Sequence, residues 1–107
     1  MDITLPFQLG LYEKAFPDDC SWHERLSMTQ KSGFDFVEMS IDESDWRFER
    51  LDWGAQKRNA LKQDITDTGV PIKSMCLSVH RRFPLGSSSA SIRSQSLEIL
   101  KKAIDFA

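Results

Sequence analysis

Three short apolar segments of this sequence are each followed or interrupted by polar side chains of types that bind ligands. Tyr12 and Glu13 close the first segment, Glu38 lies within the second, and His80 and Arg81 follow the third. Arginine donates paired hydrogen bonds to anions, and histidine can both donate and accept near neutral pH. We therefore predict that these five residues contact a small polar substrate, with His80 and Arg81 as the first choice.

Each of these residues also has a structural alternative that the sequence leaves open. The two arginines after the third segment, Arg81 and Arg82, also fit ion pairs that fix loop geometry, with Glu13, Glu38 or Asp42 as partners. A buried carboxylate between apolar neighbours needs a partner, so a structural ion pair and a site role both fit Glu38. An aromatic side chain at a strand end often packs beneath a loop.

The segments that carry these residues alternate between strand and helix patterns. Apolar runs over Leu5–Tyr12, Phe34–Ile41 and Pro71–Ser78 predict three strands. A strand, helix, strand, helix, strand, helix order predicts an α/β fold with parallel strands joined by right-handed crossovers. The candidate residues then fall near the carboxyl ends of the strands, where α/β barrels bind their ligands.

Local signals predict where the first two helices begin and end. Ser21 and Glu24 have the spacing of a capping box, and Gly33 suits a left-handed cap at the end of that helix. Asp52 is predicted to cap the second helix, which ends at Gly69 in the same way. The first helix is predicted to begin at Trp22, and the second to extend from about Trp53 to Thr68.

The last helix has the clearest apolar periodicity in the chain. It is predicted to begin within the SSSAS string of residues 87–91 and to bury one apolar stripe against the sheet. The members of the predicted stripe are Leu97, Leu100, Ala103, Ile104 and Ala107.

The composition is that of an ordinary globular protein. Among 107 residues, 40% are hydrophobic and 28% charged, and the formal net charge is −2. The interspersed charges argue against a nucleic-acid or membrane-surface partner, and the absence of an apolar leader or span predicts a cytoplasmic protein. Cys20 and Cys76 are predicted to be reduced thiols, and no His or Cys spacing predicts a metal site from this segment alone.

Four strings of the sequence together resemble one enzyme family. LGLYEKAF, GFDFVEMSIDESD, RLDW and SMCLSVHRRFPLGS, in this order, are similar to the N-terminal part of the bacterial L-ribulose-5-phosphate 3-epimerases, also called L-xylulose-5-phosphate 3-epimerases. The resemblance extends from Leu9 to Ala107 and covers well under half of the family's length. It implies a (β/α)₈ TIM barrel of the xylose-isomerase group, with residues 1–107 as one partial domain containing the first three βα units.

The resemblance also implies a reaction and its requirements. Members of the family epimerise a ketopentose phosphate by removing and returning a proton next to the carbonyl, with a divalent metal (Mg, Mn or Zn) as cofactor. Their metal ligands come from later strands, so no catalytic residue and no metal are expected in this chain alone. The expected partners are a sugar phosphate and further copies of the chain. The alternative is an inactive, truncated chain that self-associates.

Overall fold

A computed structural model describes residues 5–107, in which three parallel strands alternate with helices. Strands β1 (Gly10–Tyr12), β2 (Phe36–Ser40) and β3 (Ile72–Cys76) form an open sheet in the order β1-β2-β3. Strands β1 and β2 pair in parallel register. The Val37 amide donates to the Pro71 carbonyl, and the Ile41 amide donates to the Cys76 carbonyl. Because the partners advance in the same direction along the chain, β2 and β3 also run in parallel. The predicted α/β alternation is confirmed.

Helices and short 3₁₀ turns connect these strands. Both β1 and β3 lead into a 3₁₀ turn at their carboxyl ends, so the predicted substrate-binding residues after these strands lie on turns. Within residues 5–107, no helix has the length and apolar character needed to cross a membrane. The helices are α1 (Trp22–Lys31), α2 (Asp45–Phe48), α3 (Ala55–Thr68) and α4 (Ala90–Phe106), and the 3₁₀ turns are Glu13–Ala15, Glu49–Asp52 and Ser78–Arg81.

The chain divides into two compact units. Among the described residues, the first unit contains residues 5–39 together with Ala55–Ser74. Helices α1 and α3 pack against each other in this unit. The core of the unit consists of Phe16, Leu26, Val37 and Val70, with Leu11, Trp22, Met28, Ile65 and Ile72 packed against them. Burial of these apolar side chains is the main favourable contribution to the stability of the unit.

The second unit contains Ser40–Gly54 and Met75–Ala107. Helix α4 contacts the 3₁₀ turn Glu49–Asp52 in this unit. A second link joins the same elements, because Lys102 Nζ donates to Asp52 Oδ1 at 2.8 Å. This hydrogen bond and the carboxylate charge raise the pKa of Lys102 above its ordinary value. The buried apolar side chains of the unit are Ile41, Leu51, Val79, Ile99 and Ala103.

The capping box before α1 and the glycines after α1 and α3 are confirmed. The Ser21 hydroxyl accepts from the Glu24 amide at 3.1 Å, and the Glu24 carboxylate accepts from the Ser21 amide, which completes the capping box. Gly33 and Gly69 follow α1 and α3 with φ angles of 81° and 72°. These left-handed conformations are accessible to glycine without steric cost, so each glycine allows the chain to leave its helix.

Two predicted boundaries are wrong. The first strand begins at Gly10 and not at Leu5, because pairing with β2 begins only where Gly10 lies opposite Phe36. Asp52 does not cap α3, which begins at Ala55. Asp52 belongs instead to the preceding 3₁₀ turn, where its carboxylate accepts from Lys102.

The predicted buried face of α4 is confirmed only in part, although its periodicity is helical. Ala103 is buried as predicted, but Leu97 and Ile104 are 48% and 68% exposed, and Ser96 and Ile99 are buried instead. A single-sequence pattern identifies the apolar positions of a helix but not which of them the neighbouring elements cover.

Gly10 provides a test of the close packing between β1 and β2. A Cβ atom at Gly10 would overlap the Phe36 ring, with Phe36 Cδ2 at 2.9 Å, whereas a Cβ at Gly54 would meet no atom within 4 Å. We expect Gly10→Ala to lower the free energy of unfolding by about 1–3 kcal/mol because the ring must move. Gly54→Ala, the control, should change it by less than about 0.5 kcal/mol. Urea unfolding followed by tryptophan fluorescence measures both, and equal stabilities of the two variants would contradict the expected overlap.

Candidate functional site

The register of β1 and β2 places two of the predicted residues side by side. Tyr12 lies opposite Glu38. Since opposed residues of paired strands point to the same face, both side chains project from one face of the sheet. Leu11 and Val37 project from the other face, into the core of the first unit. Tyr12 and Glu38 are both half-buried, so they form a polar pair at the carboxyl end of β1 on the face opposite that core.

Glu13 differs from this pair in its burial. It begins the 3₁₀ turn directly after β1, and its relative exposure is 0%. A carboxylate without contact with water requires polar partners inside the protein. The burial of Glu13 therefore favours a role in holding the turn in place.

His80 and Arg81 lie on the 3₁₀ turn after β3. His80 Nε2 is 3.1 Å from the backbone oxygen of Ser96 in α4. Arg81 is exposed, and within the described residues of the second unit its side chain forms no hydrogen bond or ion pair. The guanidinium of Arg82 lies 5.4 Å from the centre of the Phe83 ring. Of the two predicted first-choice residues, Arg81 presents the accessible polar group and His80 is hydrogen-bonded to the helix.

A second turn, at the carboxyl end of β2, is held by Asp42. One carboxylate oxygen accepts from Arg47 Nη1 at 3.1 Å. The other accepts from the Ser44 amide at 3.0 Å and from the Ser44 hydroxyl. Asp42 and Arg47 are nearly buried, so this charged hydrogen bond is stronger than one at the surface. Within the second unit, Asp42 therefore pairs with Arg47.

The sequence analysis missed two buried arginines in this region. Arg47 and Arg50 are only 6% and 2% exposed, and Arg50 Nη1 donates to the Ser40 carbonyl at 3.0 Å. Both guanidiniums lie near the Trp46 ring, at 4.1 and 5.1 Å from its centre. The available signal was their spacing of three within the polar DESDWRFERLDW string, which places both on one side of a helical turn.

One group of potential metal ligands lies away from the predicted site residues. Within the described part of either unit, the three-ligand group that assembles consists of His23, Asp64 and Asp67, with ligand atoms within 4.8 Å of one another. His23 Nδ1 lies 3.7 Å from Asp64 Oδ1. These residues belong to α1 and α3 and not to the turns that follow the strands, so we assign no reaction step to a metal held by them.

Comparison with known proteins decides the family. A family model described as a xylose isomerase-like TIM barrel matches residues 26–107, which is most of the chain. The chain belongs to the xylose isomerase-like TIM barrel family. The predicted fold is thus confirmed, because the three parallel strands with their helices correspond to the N-terminal part of such a barrel.

Individual relatives within this TIM barrel family are close in sequence. The L-ribulose-5-phosphate 3-epimerase UlaE of Escherichia coli (strain SMS-3-5 / SECEC) is 59% identical over 99 residues, covering 92% of this chain and 35% of that protein. The proteins of the same name from Escherichia coli O139:H28 (strain E24377A / ETEC) and Shigella boydii serotype 18 (strain CDC 3083-94 / BS512) are 58% identical over the same shares. The chain therefore spans about a third of the length of the curated relatives it matches.

Arg50 provides a test of how this part of the barrel rim is held. Replacement by methionine removes a buried guanidinium and its hydrogen bond to the Ser40 carbonyl. We expect Arg50→Met to lower the free energy of unfolding by about 3 kcal/mol. Arg93→Met is the matched control, because Arg93 also donates to a backbone carbonyl, that of Ser87, but at the surface. Urea unfolding should show a loss below about 1 kcal/mol for the control, and a similar loss in Arg50→Met would contradict the role of the buried guanidinium.

Proposed function

We propose that this chain forms the first three βα units of a sugar-phosphate 3-epimerase that interconverts L-ribulose 5-phosphate and L-xylulose 5-phosphate. The observation that carries the proposal is 59% identity over 99 residues with a protein named L-ribulose-5-phosphate 3-epimerase. Because that similarity covers 92% of the chain, it includes the carboxyl ends of all three strands. Those ends form the ligand-binding rim of TIM barrels.

In the proposed reaction, one proton leaves C3 of the substrate and another proton is added to the same carbon. The C3–H bond next to the carbonyl breaks, its proton passes to a base, and its electron pair enters an enediolate. A proton then returns to C3 from the opposite face, so the reaction is redox-neutral. A divalent metal, which the family resemblance implies, stabilises negative charge on the substrate oxygens when bound. We place the acid, the base and the metal ligands outside these 107 residues.

The residues of this chain then bind and orient the substrate. Tyr12 and Glu38 lie on one face of the sheet and suit the hydroxyl groups of a sugar. Arg81 is exposed on the turn after β3 and suits oxygens that carry negative charge. Glu13 and His80 hold the turns that follow β1 and β3. We further propose a homo-oligomeric protein in the cytoplasm, whose net charge of −2 gives no attraction to nucleic acid.

A chimera tests the proposed function directly. Residues 9–107 replace the matching segment of the Escherichia coli relative, and conversion of L-ribulose 5-phosphate is measured with added Mg²⁺ or Mn²⁺. We expect the chimera to be active and the isolated 107-residue chain to be inactive, because the catalytic groups come from the longer protein. A folded but inactive chimera argues against the function, and activity of the isolated chain argues against the placement of the catalytic groups.

Glu38 allows the substrate-binding role to be tested in the same chimera. We expect Glu38→Gln to lower kcat/KM by about tenfold or more, since a hydrogen bond to a charged group contributes roughly 1.5–3 kcal/mol. Glu98→Gln, at an exposed position of α4, is the control and should change kcat/KM by less than about twofold. If the two variants have equal kcat/KM, the Glu38 carboxylate does not contact the substrate.

A second candidate is an inactive chain that self-associates, and the exposed face of α4 favours it. Leu97 and Ile104 lie two turns apart on that face and are 48% and 68% exposed. Apolar side chains grouped on one face mark a surface that can bind a second copy. The open β-sheet, which has edge strands, offers another route to association.

Sedimentation velocity tests this candidate. The unaltered chain is expected to associate as its concentration rises, because association covers the apolar face of α4. Leu97→Glu with Ile104→Glu should shift it to the monomer by placing like charges on that face. Leu85→Glu is the control, since Leu85 is 50% exposed but lies outside α4. A monomeric unaltered chain at every concentration would rule out self-association, and an equal effect of the control would place the contact elsewhere.

A further inference from the structure

The ring of His80 fastens the turn after β3 to helix α4. His80 Nε2 lies 3.1 Å from the Ser96 backbone oxygen, and this contact is partly buried. Ser96 itself has 0% exposure, and its hydroxyl oxygen has no hydrogen-bond partner among residues 5–107. The Ser96 hydroxyl therefore does not form the contact. The partner of His80 Nε2 is the main-chain carbonyl of Ser96.

The backbone on both sides of His80 is also fixed. Val79 is fully buried, and its amide donates to the Ile41 carbonyl at 3.0 Å. The Arg82 amide donates back to the Val79 carbonyl at 3.0 Å. The turn Ser78–Arg81 is thus joined to the end of β2 through its backbone and to α4 through the His80 ring. Arg81 follows His80 directly, so its Cα position depends on both connections.

The chemistry of the contact selects one tautomer of His80. A backbone carbonyl can only accept a hydrogen bond, so the hydrogen lies on Nε2. The Ser96 carbonyl has two lone pairs, which allows it to accept from the ring as well as from the helical amide four residues later. A neutral imidazole has one N–H, so Nδ1 carries no hydrogen.

We propose that His80 is a positioning residue whose Nε2–H holds the Ser78–Arg81 turn on α4 and so fixes where the Arg81 guanidinium meets an anionic sugar substrate. The substrate part rests on the proposed function. The fixed tautomer and the anchoring of the turn do not, because both follow from the His80–Ser96 contact alone. This assigns different roles to two adjacent polar residues: His80 acts on the protein and Arg81 on the ligand.

The first test is the ¹⁵N spectrum of the histidine rings in the unaltered 107-residue chain. The chain has 2 histidines, so the spectrum of His23→Gln assigns both rings. In the neutral form, His80 should show a fully protonated Nε2 and a bare Nδ1. A His80 ring with hydrogen on Nδ1, or with averaging between the two tautomers, would overturn the proposal.

The second test is amide hydrogen exchange in two variants, each of which places a nitrogen near the position of one of the two ring nitrogens. Gln places its amide nitrogen near the position of His Nε2, and Asn places its own near Nδ1. His80→Asn should reduce protection of the Val79 and Arg82 amides by about fivefold, the loss expected for one hydrogen bond. His80→Gln should keep the protection of these two amides within about twofold of that in the unaltered chain. Ser96→Ala should do the same, because it retains the backbone carbonyl. Equal protection in the Asn and Gln variants would mean that the contact does not hold the turn.

Kinetics of the epimerase chimera separate the anchoring from the function. His80→Asn should raise the KM for L-ribulose 5-phosphate in the same direction as Arg81→Met, and His80→Gln should restore it to within about twofold. If Arg81→Met raises KM but His80→Asn does not, the turn is not positioned by His80. An inactive chimera in which the ¹⁵N and exchange results agree with the expectation would contradict the proposed function, and the anchoring role of His80 would stand.

Discussion

The parallel register of β1 and β2 is the constraint on which the arrangement of the first unit depends. With Gly10 opposite Phe36, every second residue of β2 faces the helix-packed core and the others face away from it. Val37 is completely buried as a result, and Glu38 is only half-buried. A shift of one residue would place the Glu38 carboxylate in the core, at a desolvation cost that the apolar contacts could not offset.

Buried polar groups, and not apolar packing alone, determine the geometry of the turns at the strand ends. Arg50 binds the last carbonyl of β2, and Asp42 binds both Arg47 and the start of α2. Charged hydrogen bonds of this kind are directional, so they fix a turn more narrowly than contacts between apolar side chains do. They also stabilise the fold only as complete sets, since removal of one partner leaves the other buried without compensation.

Most sequence signals that act over a few residues predicted the structure well, the exception being the expected Asp52 cap. The capping box at Ser21 and the glycines after α1 and α3 depend only on neighbouring atoms, and each occurs where the sequence predicted it. The face of α4 and the burial of Arg50 depend on elements distant in sequence; the first was predicted only in part and the second was missed. The periodicity identified the apolar positions of α4. Which of these positions are buried depends on contacts with other elements such as the turn Glu49–Asp52, and the sequence of the helix carries no signal for those contacts.

In the candidate site, the type of a residue does not by itself determine its role. Sequence position alone selected polar residues at strand ends, and it treated Glu13 and Glu38 as equivalent carboxylates. Their burial separates them, because Glu13 has 0% exposure and Glu38 lies half-buried beside Tyr12. The same distinction applies to His80 and Arg81, since the ring is engaged by a main-chain carbonyl and the guanidinium remains accessible. A polar residue at the rim of a barrel can therefore shape the site without touching the ligand, and hydrogen-bond partners distinguish the two roles.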